Sequence, residues 1–145
     1  MIFSKTCQAA LKSIAFLASP TAKFKKYSIK AVSKAVREND HTLGKVLQVL
    51  VKHNFINSLK GPKGGFFIER KQLPIRVLKV VEALDGPFEF DGCVMGFNKC
   101  SEKKPCAFHE EFKKSRKVIH KLLTKSTIGD LGKTDNYFIP INTKE

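Results

Sequence analysis

From Phe3 to Ala18 the apolar residues Phe3, Cys7, Ala10, Leu11, Ile14, Leu17 and Ala18 recur at the spacing of one helix face. Ser19-Pro20 ends that helix, because proline lacks an N–H and restricts the residue before it. A basic connection, KFKKY, follows. Ser28 is placed to cap a second helix from Ile29 to about Val36, with Ile29, Val32 and Val36 inward. Arg37-Glu38 turns the chain, and Asn39 or Asp40 caps a third helix to about Lys52. Leu43, Val46, Leu47, Leu50 and Val51 form its buried stripe. Two short helices across a tight turn make a helix-turn-helix unit, although the same periodicity suits a plain three-helix bundle.

The next segment favours the first reading. NFINSL and GFFIE are short strands around KGPKGG, a glycine-rich hairpin tip. A basic hairpin directly after a helix-turn-helix is the plan of a winged helix. PIRVLKVVEALD, residues 74–85, is a fourth helix with Ile75, Leu78, Val81 and Leu84 inward and Val77 beside them; Gly86-Pro87 ends it. Residues 88–105 show neither period, which is long for a loop without a function or a ligand. Helix returns from Pro105 to Lys125, with Phe108, Phe112, Ser115, Ile119 and Leu122 in a narrow apolar stripe flanked by Val118 and Leu123. Packing back on the domain would bury that stripe; so would pairing with a second subunit, the arrangement that matches palindromic DNA. STIGDL forms a further short turn, and YFIPI carries no assignable role.

The expected fold is therefore mostly α with a small β-hairpin: a winged helix-turn-helix, a cysteine loop and a long dimerisation helix. The corresponding regions are 1–86, 87–105, 106–131 and a tail, 132–145.

Charge adds a partner. The net charge is +14, and residues 1–85 hold 16 Lys/Arg against 5 Asp/Glu, leaving 11 against 8 in the remainder. A basic half points to a polyanion. The amino-terminal end of the third helix is placed to enter the major groove, with His41, Thr42, Lys45 and Gln48 nearest base edges. Ser28 and Lys30, at the start of the preceding helix, are placed for phosphate, as are Lys60 and Lys63 on the wing. Gly64 lets the backbone approach closely there. No apolar run is long enough to span a bilayer, and the first twenty residues lack the uninterrupted core of a secretory signal, so a cytoplasmic location with no membrane partner is expected.

Three of the four cysteines fall within CVMGFNKCSEKKPC, as Cys93-x6-Cys100-x5-Cys106, with His109 three residues on. Thiolates and imidazole suit zinc or an iron–sulphur cluster, and the absence of a C-x2-C knuckle and the wide gaps favour a two-iron cluster. Free thiols that sense oxidants also fit this pattern. A catalytic Cys–His pair would need an activating environment that nothing in the sequence specifies. Cys7, on the inner face of the first helix, reads as core filling.

Four stretches resemble the IscR/NsrR (Rrf-type) family of bacterial winged-helix transcription regulators. They are MIFSKTCQAALKSIAFLA, the segment from SIKAVSKAV to GPKGGFFIER, LPIRVLKVVEALDGP, and the three-cysteine loop with its following helix. The resemblance covers about residues 1–131. It implies a homodimer on double-stranded operator DNA, expected to be a repressor and not an enzyme. It also implies an iron–sulphur cluster, expected to be two-iron two-sulphur, on Cys93, Cys100 and Cys106, which a purified sample need not retain. The expected signal is redox state, nitric oxide or cluster status. The fourth ligand in some members is a histidine placed like His109, and in others an acidic residue near the start of the first helix; this chain has Cys7-Gln8 there, with no acid, which favours His109 and leaves Cys7 open. Arg37-Glu38 departs from the family's glycine and aliphatic residue, and Gly44 offers no side chain for base reading. The alternatives are a zinc-stabilised or cofactor-free DNA-binding protein and a thiol-based redox enzyme.

Overall fold

Among the described residues six α-helices and one two-stranded hairpin follow in the order α1 (Lys5–Leu17), α2 (Ile29–Val36), α3 (Asp40–Lys52), β1 (Asn57–Leu59), β2 (Gly65–Phe67), α4 (Val77–Asp85), α5 (His109–Lys125) and α6 (Ile128–Leu131). The computed structural model describes residues 2–87, 93–97 and 101–138. Cys100, Phe88–Gly92 and the Ile139–Ile141 part of YFIPI lie outside the described residues.

Local chemistry sets the helix starts. Ser4, Ser28 and Asn39 are the amino-terminal caps of α1, α2 and α3, each accepting a backbone N–H that the first turn leaves open. Asn39 Oδ1 accepts from His41 N at 2.8 Å and Thr42 N at 3.2 Å, so Asn39 rather than Asp40 is the cap. Arg37 ends α2 in the left-handed conformation, φ 59° and ψ 47°.

The main core gathers Ile14 and Leu17 of α1, Val32 of α2, Leu43, Leu47 and Leu50 of α3, Ile56, Ile68, Val80 and Ile128, all buried. Each such side chain contributes about 1.5–3 kcal/mol on leaving water. A second cluster joins Cys7, Val77, Val81 and Leu123, and so ties α1, α4 and α5.

Several boundaries differ from those the pattern predicts. Strand β1 starts at Asn57 rather than Asn54, because Asn54 is left-handed (φ 60°) and Phe55 and Ile56 turn into the core. Helix α4 starts at Val77 rather than Pro74. Residues 75–77 instead pair with the chain leaving α5: Val77 N donates to Ser126 O and Ile128 N to Ile75 O, both at 2.9 Å. On α4 the fully buried positions are Val77, Val80 and Val81, while Leu78 and Leu84 are partly covered. Helix α5 starts at His109, so Cys106 lies in the turn before it and not within the helix. The short turn expected at STIGDL is α6, closed by a reciprocal cap between Thr127 and Asp130.

The hairpin has a third contributor. Tyr27 N donates to Phe66 O at 3.0 Å and Phe66 N to Tyr27 O at 2.8 Å, so the KFKKY segment runs along the free edge of β2. Behind the hairpin the buried Gln72 amide ties its base together. It accepts from Glu69 N and Asn57 Nδ2 and donates to Asn54 O and Asn57 Oδ1, at 2.9–3.2 Å.

Candidate functional site

Helix α3 has two faces. Leu43, Val46, Leu47 and Leu50 are buried, and His41, Thr42, Lys45 and Gln48 are exposed on the other side. Gly44 lies beside Ile29, whose Cδ1 would be 3.7 Å from an added Cβ, so packing does not demand glycine there. Ser28 and Lys30 are exposed at the start of α2, with the Ser28 hydroxyl occupied as a cap at 3.2 Å from Ala31 N.

On the wing, Lys60 and Lys63 are exposed at the tip. A Cβ on Gly64 would sit 1.8 Å from the Leu59 carbonyl oxygen, so only glycine closes this turn. Its N–H donates to Gly61 O at 3.0 Å, which gives Gly64 a turn-forming part. The edge strand supplies cations that periodicity did not single out. Lys26 Nζ stands 5.2 Å from the Phe67 ring centre, and Lys23 and Arg70 stand 5.2 and 5.5 Å from that of Phe24. The signal was present in the KFKKY charge run, but its pairing with the wing is a long-range contact.

The cysteine loop opens with a tight turn. Gly96 N donates to Cys93 O at 2.9 Å, with Gly96 at φ 85°. The Cys93 thiol is pulled below its ordinary value, first by the backbone N–H of Met95 and then by those of Phe97 and Gly96 and by the Cys106 thiol, which donates to it. Cys93 and Cys106 are thus brought together from the two ends of the loop, both partly exposed. His109 N donates to Cys106 O at 3.1 Å, and the His109 side chain is only 4% exposed at the start of α5. The Glu102–Lys113 ion pair, which lowers the Glu102 pKa, ties the loop's end to α5. Among the described residues no three His, Cys, Asp or Glu side chains converge on one point; Cys100 falls outside them.

Cys7 lies elsewhere, fully buried, with its thiol donating to Asp85. Burial first, then the Asp85 carboxylate, pushes this thiol up to about 12. Asp85 also accepts from Ser4 N at 2.9 Å and from the Ser4 hydroxyl, which fastens the end of α4 to the start of α1 immediately before the loop begins.

The stripe read along α5 divides. Leu123 is buried against α4 and Ile119 is partly covered, so one edge packs on the domain. Phe108, Val118 and Leu122 stay 59, 69 and 60% exposed. No described helix is long and apolar enough to cross a membrane.

Helices α2 and α3 across the Arg37 turn, with the basic hairpin behind them, define a winged helix-turn-helix protein. The Rrf2 family, described as an iron-dependent transcriptional regulator, matches residues 3–134, and the chain belongs to it. A protein of Aquifex aeolicus (strain VF5) described as an HTH-type transcriptional regulator is 29% identical over 133 residues, 90% of this chain and 91% of its own. The fold is similar to CymR, the global cysteine regulator of B. subtilis (TM-score 0.69, 19% identity, 90% of this chain and 95% of that one). It is also similar to T. potens IscR (TM-score 0.62, 22% identity, 90% and 85%). The chain is thus a transcription regulator of a family that is not enzymatic.

Proposed function

We propose that the protein is a dimeric repressor that reads operator DNA with α3 and the wing and responds to a cluster held by its cysteine loop. The exposed face of α3 carries the DNA reading: His41, Thr42, Lys45 and Gln48 line one side of a capped helix whose other side is fixed in the core. Ser28 and Lys30 serve phosphates beside it, and Lys60, Lys63 and the close-approaching turn at Gly64 clamp the backbone from the wing. The exposed apolar residues Phe108, Val118 and Leu122 support α5 as the dimer helix. In this reading residues 1–86 bind DNA, 87–105 bind the cluster, and 106–131 form the dimer helix with its short following turn.

The donor set fits an iron–sulphur cluster. Cys93 and Cys106 already face each other, Cys93 sits among N–H groups that favour thiolate, and His109 is tied one turn away. Cys93, Cys100, Cys106 and His109 would hold it. Such a group, when bound, supplies a centre sensitive to oxidants, nitric oxide and iron supply. The chain's own part is to stabilise the Cys93 thiolate and to hand any rearrangement of the loop to α5 through Glu102–Lys113 and the Cys106–His109 turn.

Fluorescence anisotropy with promoter fragments tests the DNA reading. Binding should fall by about 10³-fold or more between 50 and 200 mM salt if six or more phosphates are neutralised. Lys45→Ala should weaken specific over non-specific binding, and Lys60→Ala should weaken both. The absence of any salt-sensitive complex overturns the reading.

A further inference from the structure

A cavity of about 430 Å³ lies behind the helix-turn-helix, away from the exposed face of α3 and from the cysteine loop. Leu11 and Ala15 of α1, Val36 of α2 and Leu131 of α6 give it apolar walls. Tyr137 and Phe138, from the segment after α6, close one side, and Phe138 is fixed by an edge-on contact with Phe16 at 5.5 Å. The volume is in the range of small-molecule sites, and an apolar body with few polar groups is their usual lining.

Two cations stand at this cavity, in different conditions. Lys12 is engaged: its Nζ lies 2.6 Å from Glu38 Oε1 and 3.3 Å from Val36 O. Arg37 also lines the cavity, and among the described residues its guanidinium has no hydrogen bond or ion pair. Arg37 further holds the left-handed backbone at φ 59°. That conformation strains a non-glycine residue, and glycine would adopt it without strain. The backbone thus gives no reason for arginine. A fixed positive charge at the mouth of an apolar cavity does.

We infer that this cavity binds a small amphipathic carboxylate. The carboxylate pairs with Arg37, whose planar fork matches it. The aliphatic or aromatic body lies between Leu11, Ala15, Val36 and Phe138. Among the described residues the Lys12–Glu38 pair, already neutral as a unit, leaves Arg37 as the one uncompensated charge lining the cavity, so the ligand is a monoanion. The site is independent of the cluster and of the DNA contacts proposed above.

Titration calorimetry of the full chain with octanoate, and with 1-octanol as the uncharged body of equal length, tests this. Octanoate should bind at one per chain, about tenfold or more tighter than 1-octanol. Arg37→Gly, which relieves the left-handed strain and so keeps the fold, should lower octanoate affinity about tenfold and leave 1-octanol unchanged. Ala15→Leu, which fills the cavity, should abolish both. Equal binding of the two probes to the parent protein, undiminished octanoate binding by Arg37→Gly, or no saturable octanoate binding overturns the proposal.

Discussion

Cys7 and Cys93 are the same side chain in opposite surroundings. Cys7 sits among Val77, Val81 and Leu123 with the Asp85 carboxylate beside its thiol, and its proton is held until about pH 12. Cys93 sits in a turn whose N–H groups converge on its sulphur, and its proton is lost more easily than usual. An apolar wall and an acid hold the proton on a thiol, whereas backbone donors aimed at the sulphur favour the thiolate, the reactive form. The two sites adjoin one continuous piece of chain: Asp85, which quiets Cys7, ends α4 two residues before the segment that leads to Cys93.

That contrast can be broken by experiment. Native alkylation with iodoacetamide should modify metal-free protein at Cys93 more than about 100-fold faster than at Cys7, because the thiolate is the reacting form. Peptide mass spectrometry over time reads the two rates, and equal rates would remove the distinction. A smaller effect belongs to Asp85. Asp85→Asn replaces the acceptor shared by Ser4 and Cys7 and should cost about 1–3 kcal/mol in urea unfolding. It should also bring the Cys7 pKa down. The pH dependence follows from the direction of the shift. Cys7 is raised from 9.0 to about 12, so its contribution to stability is complete below pH 9 and is lost as pH rises towards 12. Denaturation of Cys7→Ala across that window should show a shallower alkaline decline than the parent chain. The smallest expected effect lies outside both cysteine sites: Gly44→Ala should raise stability by up to about 1 kcal/mol, since only Ile29 Cδ1 stands near the added methyl group. A thermal melt checks it.

Where local chemistry decides, the sequence was legible. The caps at Ser28 and Asn39, the buried stripe of α3 and the glycine tip of the wing follow from neighbours a few residues apart. Distant partners set the rest. Residues 74–76 have helical periodicity, yet Ile75 and Arg76 pair with Thr127 and Ile128, some fifty residues on, and α4 starts later. Tyr27 joins the wing through Phe66, and Cys7 meets Asp85 across most of the domain, with nothing near either residue to announce it. The α5 stripe merged two faces, because periodicity shows where apolar residues lie and not which of them the domain itself covers. Spacing suggested a common ligand for Cys93, Cys100 and Cys106 and singled out no pair among them; the N–H groups around Cys93 come from a turn conformation that spacing does not encode. Cys100 lies outside the described residues, so its place in the ligand set remains part of the proposal.

We propose the Cys93–Cys106 loop with His109 as a cluster site. Anaerobically purified protein, measured by visible absorption together with iron and zinc content per chain, tests it most directly. The expected result is a coloured protein with about two iron atoms per chain, and loss of both colour and iron in Cys93→Ala and Cys106→Ala but not in Cys7→Ala. A colourless protein carrying stoichiometric zinc, or colour that survives Cys93→Ala, would contradict it.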